Sequence, residues 1–162
     1  MDLRQEETGD WWEVEALYDL CFAPGRTALS SYRLRDEVPP VAPLCLLLRD
    51  ETGALVGAIR QWPVRVGQVP ALLLGPVAVH PTRQGEGLAQ HLIEESVARA
   101  RALGWERELL VGDEPYYRRF GFRHLAGVIM PPPTNPDRVL GLDLVDGAWQ
   151  GVSGPVRRFV EP

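Results

Sequence analysis

Two places in this chain combine residue types and spacing that can do chemistry. One is the stretch LLLGPVAVHPTRQGEGLA, Leu72 to Ala89, and the other is a tyrosine pair, Tyr116 and Tyr117, further on. In the first, an apolar run rich in branched residues, Leu72 to Val79, is bounded by Gly and Pro and runs into a glycine turn that opens a helical pattern, so it reads as strand, turn and helix. Gly85 and Gly87 lack a Cβ, so the backbone can turn there with bare N–H groups facing outward and a ligand can approach closely. The first N–H groups of the following helix have no intrahelical partner, and that helix end carries about half a positive elementary charge. Together these features make an anion site, most naturally one for phosphate, although the same glycines would also suit a plain tight turn.

Two familiar phosphate loops do not fit. A P-loop ends in Gly-Lys-Ser/Thr, and no Lys is present here. The dinucleotide loop wants a third Gly where this chain has Gln90, and repeated βαβ units with an acidic residue after the second strand. Instead, Gln84-Gly85-Glu86-Gly87-Leu88-Ala89 resembles the Gln/Arg-x-x-Gly-x-Gly/Ala signature of the GNAT N-acetyltransferases, and Val77-Ala78-Val79-His80-Pro81 resembles the strand end that precedes it in that family. Tyr117-Arg118-Arg119-Phe120-Gly121-Phe122 resembles the family's Tyr-x-x-x-Gly-Phe pattern, and the order and spacing of the two motifs also agree. The resemblance covers residues 41–125 well and the first forty in helical layout only.

The surrounding elements must bring these motifs together. Asp10-x-x-Glu13 has the form of a helix cap, and apolar residues at helical spacing follow from Trp11 to Phe22. A second helical stretch, Leu29 to Glu37, ends before Pro39-Pro40. Within it Tyr32, Arg33 and Arg35 read as a solvated face with one aromatic packed inward. Leu44 to Arg49 and Ala54 to Trp62 form a hairpin about Asp50-Glu51-Thr52-Gly53, and Pro63 demotes the end of the second strand to an edge or bulge, after which Val64-Arg65-Val66 alternates up to Gly67. The Gly75-Pro76 pair cannot sit in an undisturbed ladder, because Pro76 has no N–H, and a bulge or splay is expected there. Leu88, Leu92, Ile93, Ser96, Val97 and Ala100 mark a helical stripe that stops at Gly104. A buried strand over Glu108–Val111 completes strand, helix, strand. A crossover of this length makes the two strands parallel, with the glycine turn at the carboxyl end of the first, where open α/β sheets bind ligands. Beyond Asp113-Glu114-Pro115, a short helical segment holds Tyr116 and Tyr117 and ends at Gly121, Phe122 to Leu125 turns back as a strand, and Val139 to Val145 is the last strand. The tail to Pro162 offers only Trp149 and Phe159 as anchors.

Composition sets outer bounds. The length of 162 residues is that of one domain, and 45% hydrophobic with 24% charged residues is ordinary globular composition. A net charge of −5 argues against nucleic acid as the main partner. No run is long and apolar enough to span a bilayer and the amino terminus lacks a signal-peptide layout, so a cytoplasmic location is expected. Cys21 and Cys45 have neither disulfide-framework nor zinc spacing, and His80, His91 and His124 have no metal-like spacing, so no metal is expected and His80 reads as a capping or surface residue.

The resemblance implies an α/β (α+β) architecture: one GNAT domain over residues 1–162, with a central mixed, mostly antiparallel sheet splayed between two parallel strands and flanked by helices. It implies acetyl-CoA as acyl donor and a primary amine, of a small molecule or a protein, as acceptor, joined by direct attack in a ternary complex by a monomer or homodimer. Residue by residue, it places the pyrophosphate on the backbone of Gln84, Gly85, Glu86, Gly87, Leu88 and Ala89. The pantetheine arm and thioester carbonyl fall on the strand Val77-Ala78-Val79, and the thiolate is protonated by Tyr117, with Tyr116 as competitor. The strand before the loop has no carboxylate, so no general base is named. Two alternatives stand beside this reading: a non-catalytic acyl-CoA-binding domain, and a domain that uses the loop for a different nucleotide.

Overall fold

The computed structural model describes residues 1–22, 24–28 and 30–160. Among the described residues nine strands form a mixed sheet, seven of them in the order β1 (Asp2–Gln5), β2 (Leu46–Arg49), β3 (Leu55–Val66), β4 (Val69–Val79), β5 (Arg107–Val111), β8 (Val139–Asp143), β6 (Arg123–His124). Off this path, β9 (Gly154–Arg158) pairs antiparallel with β3, and β7 (Val128–Ile129) pairs parallel with β9. Along the main path every pairing is antiparallel except β4 with β5. This is the mixed, mostly antiparallel sheet expected from the sequence. Among the described residues no helix is long and apolar enough to cross a membrane.

Strand alternation divides the apolar residues between the two faces of the sheet. On one face Leu46, Leu48, Ile59, Leu72, Leu74 and Leu110 pack under α2 (Leu88–Ala102), which presents Leu92, Ile93, Val97 and Ala100. Leu92 and Ile93 are fully buried, so truncating either to Ala costs about 2–5 kcal/mol. A methyl built at Gly57 would lie 3.0 Å from Leu92 Cδ1, so the helix crosses β3 where a side chain is missing. On the other face α1 (Trp11–Phe22) packs Val14, Leu17 and Tyr18 on Leu47, Leu55, Ala58 and Ala78. The rest of that face, with Trp62, Val64, Leu73 and Leu109, is closed by Leu34, Met130, Trp149 and Val156. Trp149 is an anchor, as expected: its indole N–H donates to the carbonyls of Glu108 and Leu142, both at 3.1 Å. Phe159, half-buried, lies under the guanidinium of Arg65 at 4.6 Å.

Several local expectations are corrected. The helical stretch after α1 is two 3₁₀ turns, Pro24–Ala28 and Ser30–Arg35, rather than one helix, and its expected start at Leu29 lies outside the described residues. No end-of-strand edge or bulge falls at Pro63, which pairs with Leu72 inside a continuous strand. Here β3 continues to Val66, because on the side away from β4 the ladder with β2 spans Leu55 to Ile59 and the ladder with β9 resumes at Val64. Pro63 therefore falls in the interval where no partner on that side needs an N–H. Asp10 caps by a reciprocal pair with Glu7 at the 3₁₀ turn before α1, and together with Glu13 its carboxylate holds Arg49. Of the tail, Gly154–Arg158 is a strand although its sequence gives little sign of one; residues 161–162 lie outside the described residues.

Candidate functional site

The two central parallel strands touch only briefly. Leu72 pairs with Glu108 and Leu73 with Leu109, and beyond those residues the strands part. On its other edge β4 stays laddered to β3 up to Val79, with a register shift where Arg60 stands opposite Gly75 and Pro76. The glycine–proline pair is thus the bulge that its chemistry requires. Leu74 to Val77 on one side and Leu110 to Asp113 on the other border a cavity of about 560 Å³. Its other lining includes Tyr32, Arg35 and Arg26 of the 3₁₀ turns, and Tyr116, Tyr117 and Arg138. Tyr18 pins the bulge from beneath by donating its hydroxyl to the Pro76 carbonyl at 3.0 Å.

At the carboxyl end of β4 the chain turns through His80 and the loop into α2. The His80 Nδ1 accepts from the Thr82 N–H at 3.2 Å, so His80 is a cap, as its position before Pro81 suggested. Gln84 donates its side-chain amide to the Val79 carbonyl at 2.8 Å, which ties the loop back to the strand. Gly85 and Gly87 hold φ of +82° and +76°, a backbone state that side chains disfavour. In space, neither glycine is crowded. The first carbonyl that α2 uses is that of Gly87, which accepts from the His91 N–H at 3.1 Å, so the N–H groups of Leu88, Ala89 and Gln90 precede the first intrahelical bond. Glu86 turns its carboxylate to Arg83 at 2.8 Å, and Arg83 also reaches Asp50 at 3.2 Å, which places a cation beside the loop. Sequence reading passed over Arg83.

The predicted strand residues divide by role. Ala78 and Val79 are buried in the core and offer only backbone, while Val77 is half-buried and lines the cavity. Among the described residues no strand pairs with residues 74–79 on the side away from β3, so main-chain groups of this segment border the gap. Leu88 is buried under the start of α2, and Ala89 beside it is half-buried.

Tyr117 ends the one-turn helix α3 (Glu114–Tyr117). Its ring packs edge-on against Tyr116 at 5.0 Å and Phe122 at 6.0 Å, and more obliquely against Phe120 at 6.2 Å. It also lies directly on Gly112, where a Cβ would stand 2.6 Å from Tyr117 Cε2. Gly112 is therefore part of the site, although its only sequence signal is its place at the end of an apolar strand. Burial pushes the Tyr117 phenol above its ordinary range, with Tyr116 adding to this and Arg138 opposing it. The phenol thus carries its proton at neutral pH, and its hydroxyl donates to no acceptor among the described residues. Tyr116, the competitor, also lines the cavity, and its ring stacks under Arg119 at 4.4 Å. Asp113 is the only carboxylate among the lining residues, and it is exposed.

A phosphate-type cradle at a helix start, a gap between parallel strands and a protonated phenol thus stand along one sheet edge. The model of the acetyltransferase (GNAT) family matches residues 11–122, more than half of the chain. The chain belongs to the GNAT acetyltransferase family. It is accordingly an acyltransferase by family. Among curated proteins it is 29% identical over 115 residues to the uncharacterized N-acetyltransferase YhbS of Escherichia coli K12, covering 70% of this chain and 68% of YhbS. The crystal structure of Escherichia coli YhbS in complex with CoA superposes with a TM-score of 0.84 at 27% identity, over 98% of this chain and 89% of that one. A Brucella melitensis GNAT acetyltransferase in complex with acetyl-CoA gives a TM-score of 0.73 at 26% identity, over 98% and 96% of the two chains. The GNAT fold, with its sheet splayed between two parallel strands and flanked by helices, is that of this chain.

Proposed function

We propose that this chain transfers an acetyl group from acetyl-CoA to a primary amine of a small molecule or protein, by direct attack in a ternary complex. The observation that carries the reading is the placement of three features along one sheet edge: the loop Gln84–Gly87 with the unpaired N–H groups of Leu88 and Ala89, the gap between β4 and β5, and the Tyr117 phenol. The pyrophosphate sits on the loop amides and the start of α2, with Arg83 alongside. The pantetheine arm enters the gap beside Val77, Ala78 and Val79. A main-chain N–H of that segment polarises the thioester carbonyl, and fixed donors of this kind act where charge develops in the transition state.

The amine nitrogen then attacks the thioester carbon. As the tetrahedral intermediate collapses, the C–S bond breaks and the thiolate takes the proton of Tyr117; the nitrogen sheds its extra proton to water. A positioned acid contributes about 10²–10⁴-fold to such a step. The nearby solved relatives were crystallised with CoA and with acetyl-CoA, which supports the choice of carrier. Calorimetric titration with CoA, ATP and NAD tests the cradle, with CoA expected to bind tightest. Thiol release from acetyl-CoA in the presence of an amine panel tests the transfer. Tighter binding of NAD or ATP, or no thiol release with any amine, overturns the reading.

A further inference from the structure

Three cations line the cavity, Arg26, Arg35 and Arg138; Arg138 is exposed, and Arg35 is the one with guanidinium nitrogens sealed without a hydrogen-bond partner. Arg26 is held by Glu15 at 3.1 Å and Asp19 at 3.0 Å, and Arg60 by Glu6 at 2.9 Å and Glu15. Those acids are thereby taken. The acids that follow in the chain, Asp36 and Glu37, are exposed, and Glu37 lies 3.6 Å from Arg158. Among the described residues Arg35 has no carboxylate partner, and its Nε and Nη1 are sealed from solvent without a hydrogen bond. The guanidinium is sandwiched instead, 4.0 Å from the ring centre of Tyr32 and 5.3 Å from that of Trp62. A methyl built at Gly75 would lie 3.8 Å from its Nη2, so the group hangs over the bulge where β4 leaves β5. The sequence suggested a solvated face here; that holds for Arg33, which is exposed, and fails for Arg35.

A buried, permanently charged guanidinium without a counter-ion costs stability, and aromatic faces only partly offset that cost. Its rigid fork of donors matches a carboxylate. We propose that Arg35 is the counter-ion for a carboxylate that a substrate carries into this cavity. Two sources share that chemistry: an acceptor that is an amino acid or similar amine with a carboxylate a few bonds from its nitrogen, and a carrier whose acyl chain ends in a carboxylate. With the first, the cation also disfavours an ammonium beside it and so favours the free amine needed for attack. The inference rests on the cavity being the transfer site proposed above.

The test uses the full chain with the variants Arg35→Met, which keeps length without charge, and Arg35→Lys, which keeps charge without the fork. In one arm acetyl-CoA is donor and the acceptors are amino acids paired with their amides; in the other a simple amine is acceptor and acetyl-CoA is compared with succinyl-CoA. The wild type is expected to favour the carboxylate-bearing member of one arm by about 10²-fold in kcat/KM. R35M erases that ratio while its CoA affinity stays within about threefold, and R35K recovers part of it. A readout independent of turnover is the Tm of the CoA complex titrated with N-acetyl amino acids, their amides and free succinate: the carboxylates raise it in wild type and not in R35M. Failure of the wild type to bind CoA overturns the functional reading and this inference together. CoA binding without carboxylate preference in either arm or in Tm, or a preference unchanged in R35M, overturns this inference alone.

Discussion

Glu108 makes the stability of the chain fall as pH rises from the ordinary carboxyl range to about 8. It lies on β5 opposite Leu72, fully buried, and neither carboxylate oxygen finds a hydrogen-bond partner among the described residues. Burial pushes its pKa from 4.5 up to about 8, against smaller opposing effects of Gln61 and Arg101. The sign follows from linkage. Below the ordinary value both folded and unfolded chains hold the proton, and stability is at its full level. Above it the unfolded chain releases a proton that the folded chain keeps, so folding loses about 1.4 kcal/mol per pH unit until the folded group itself ionises near pH 8. The total loss across that window is about 5 kcal/mol, comparable to the whole stability of a small domain. Glu108→Gln keeps the shape and removes the titration. Urea unfolding of both proteins, followed by tryptophan fluorescence at several values between about pH 5 and pH 9, is expected to show E108Q gaining on wild type steadily up to pH 8 and levelling off above it. A difference independent of pH, or one that reverses sign, refutes the argument that burial holds this carboxyl protonated.

Three further outcomes test the site. Tyr117→Phe is expected to lower kcat by about 10²-fold with little change in CoA affinity, and to remove the alkaline limb of the rate profile, which in wild type lies above the ordinary tyrosine range because burial raises this phenol; steady-state rates across pH check it. Gly112→Ala places a methyl where the Tyr117 ring now lies, so kcat falls about tenfold or more while CoA titrates as in wild type. Gly87→Val forces a branched residue to φ of +76°, and calorimetry is expected to show CoA affinity weakened by about tenfold or more.

What the sequence by itself determined are the features whose signals are local. The stripe from Leu88 to Ala100 repeats at helical period, the glycines have no Cβ and Pro76 has no N–H, and those facts fix helix, turn and bulge without reference to distant residues. The loop and Tyr117 could be named for the same reason, since each motif is read within a few consecutive positions. Tertiary structure decided what depends on residues far apart in sequence. Nothing near Arg35 in sequence reveals that Glu6, Glu15 and Asp19 are taken by Arg26 and Arg60, leaving it over Gly75 without a carboxylate among the described residues. Gly112 matters only because a ring five residues on folds back onto it, and Glu108 is neutral only because two apolar layers close around β5. Gly154–Arg158 becomes a strand because β3 has an open edge beyond β2 to receive it. Burial and pairing are properties of the assembled chain, so charge state, counter-ion and edge occupancy were settled only by packing.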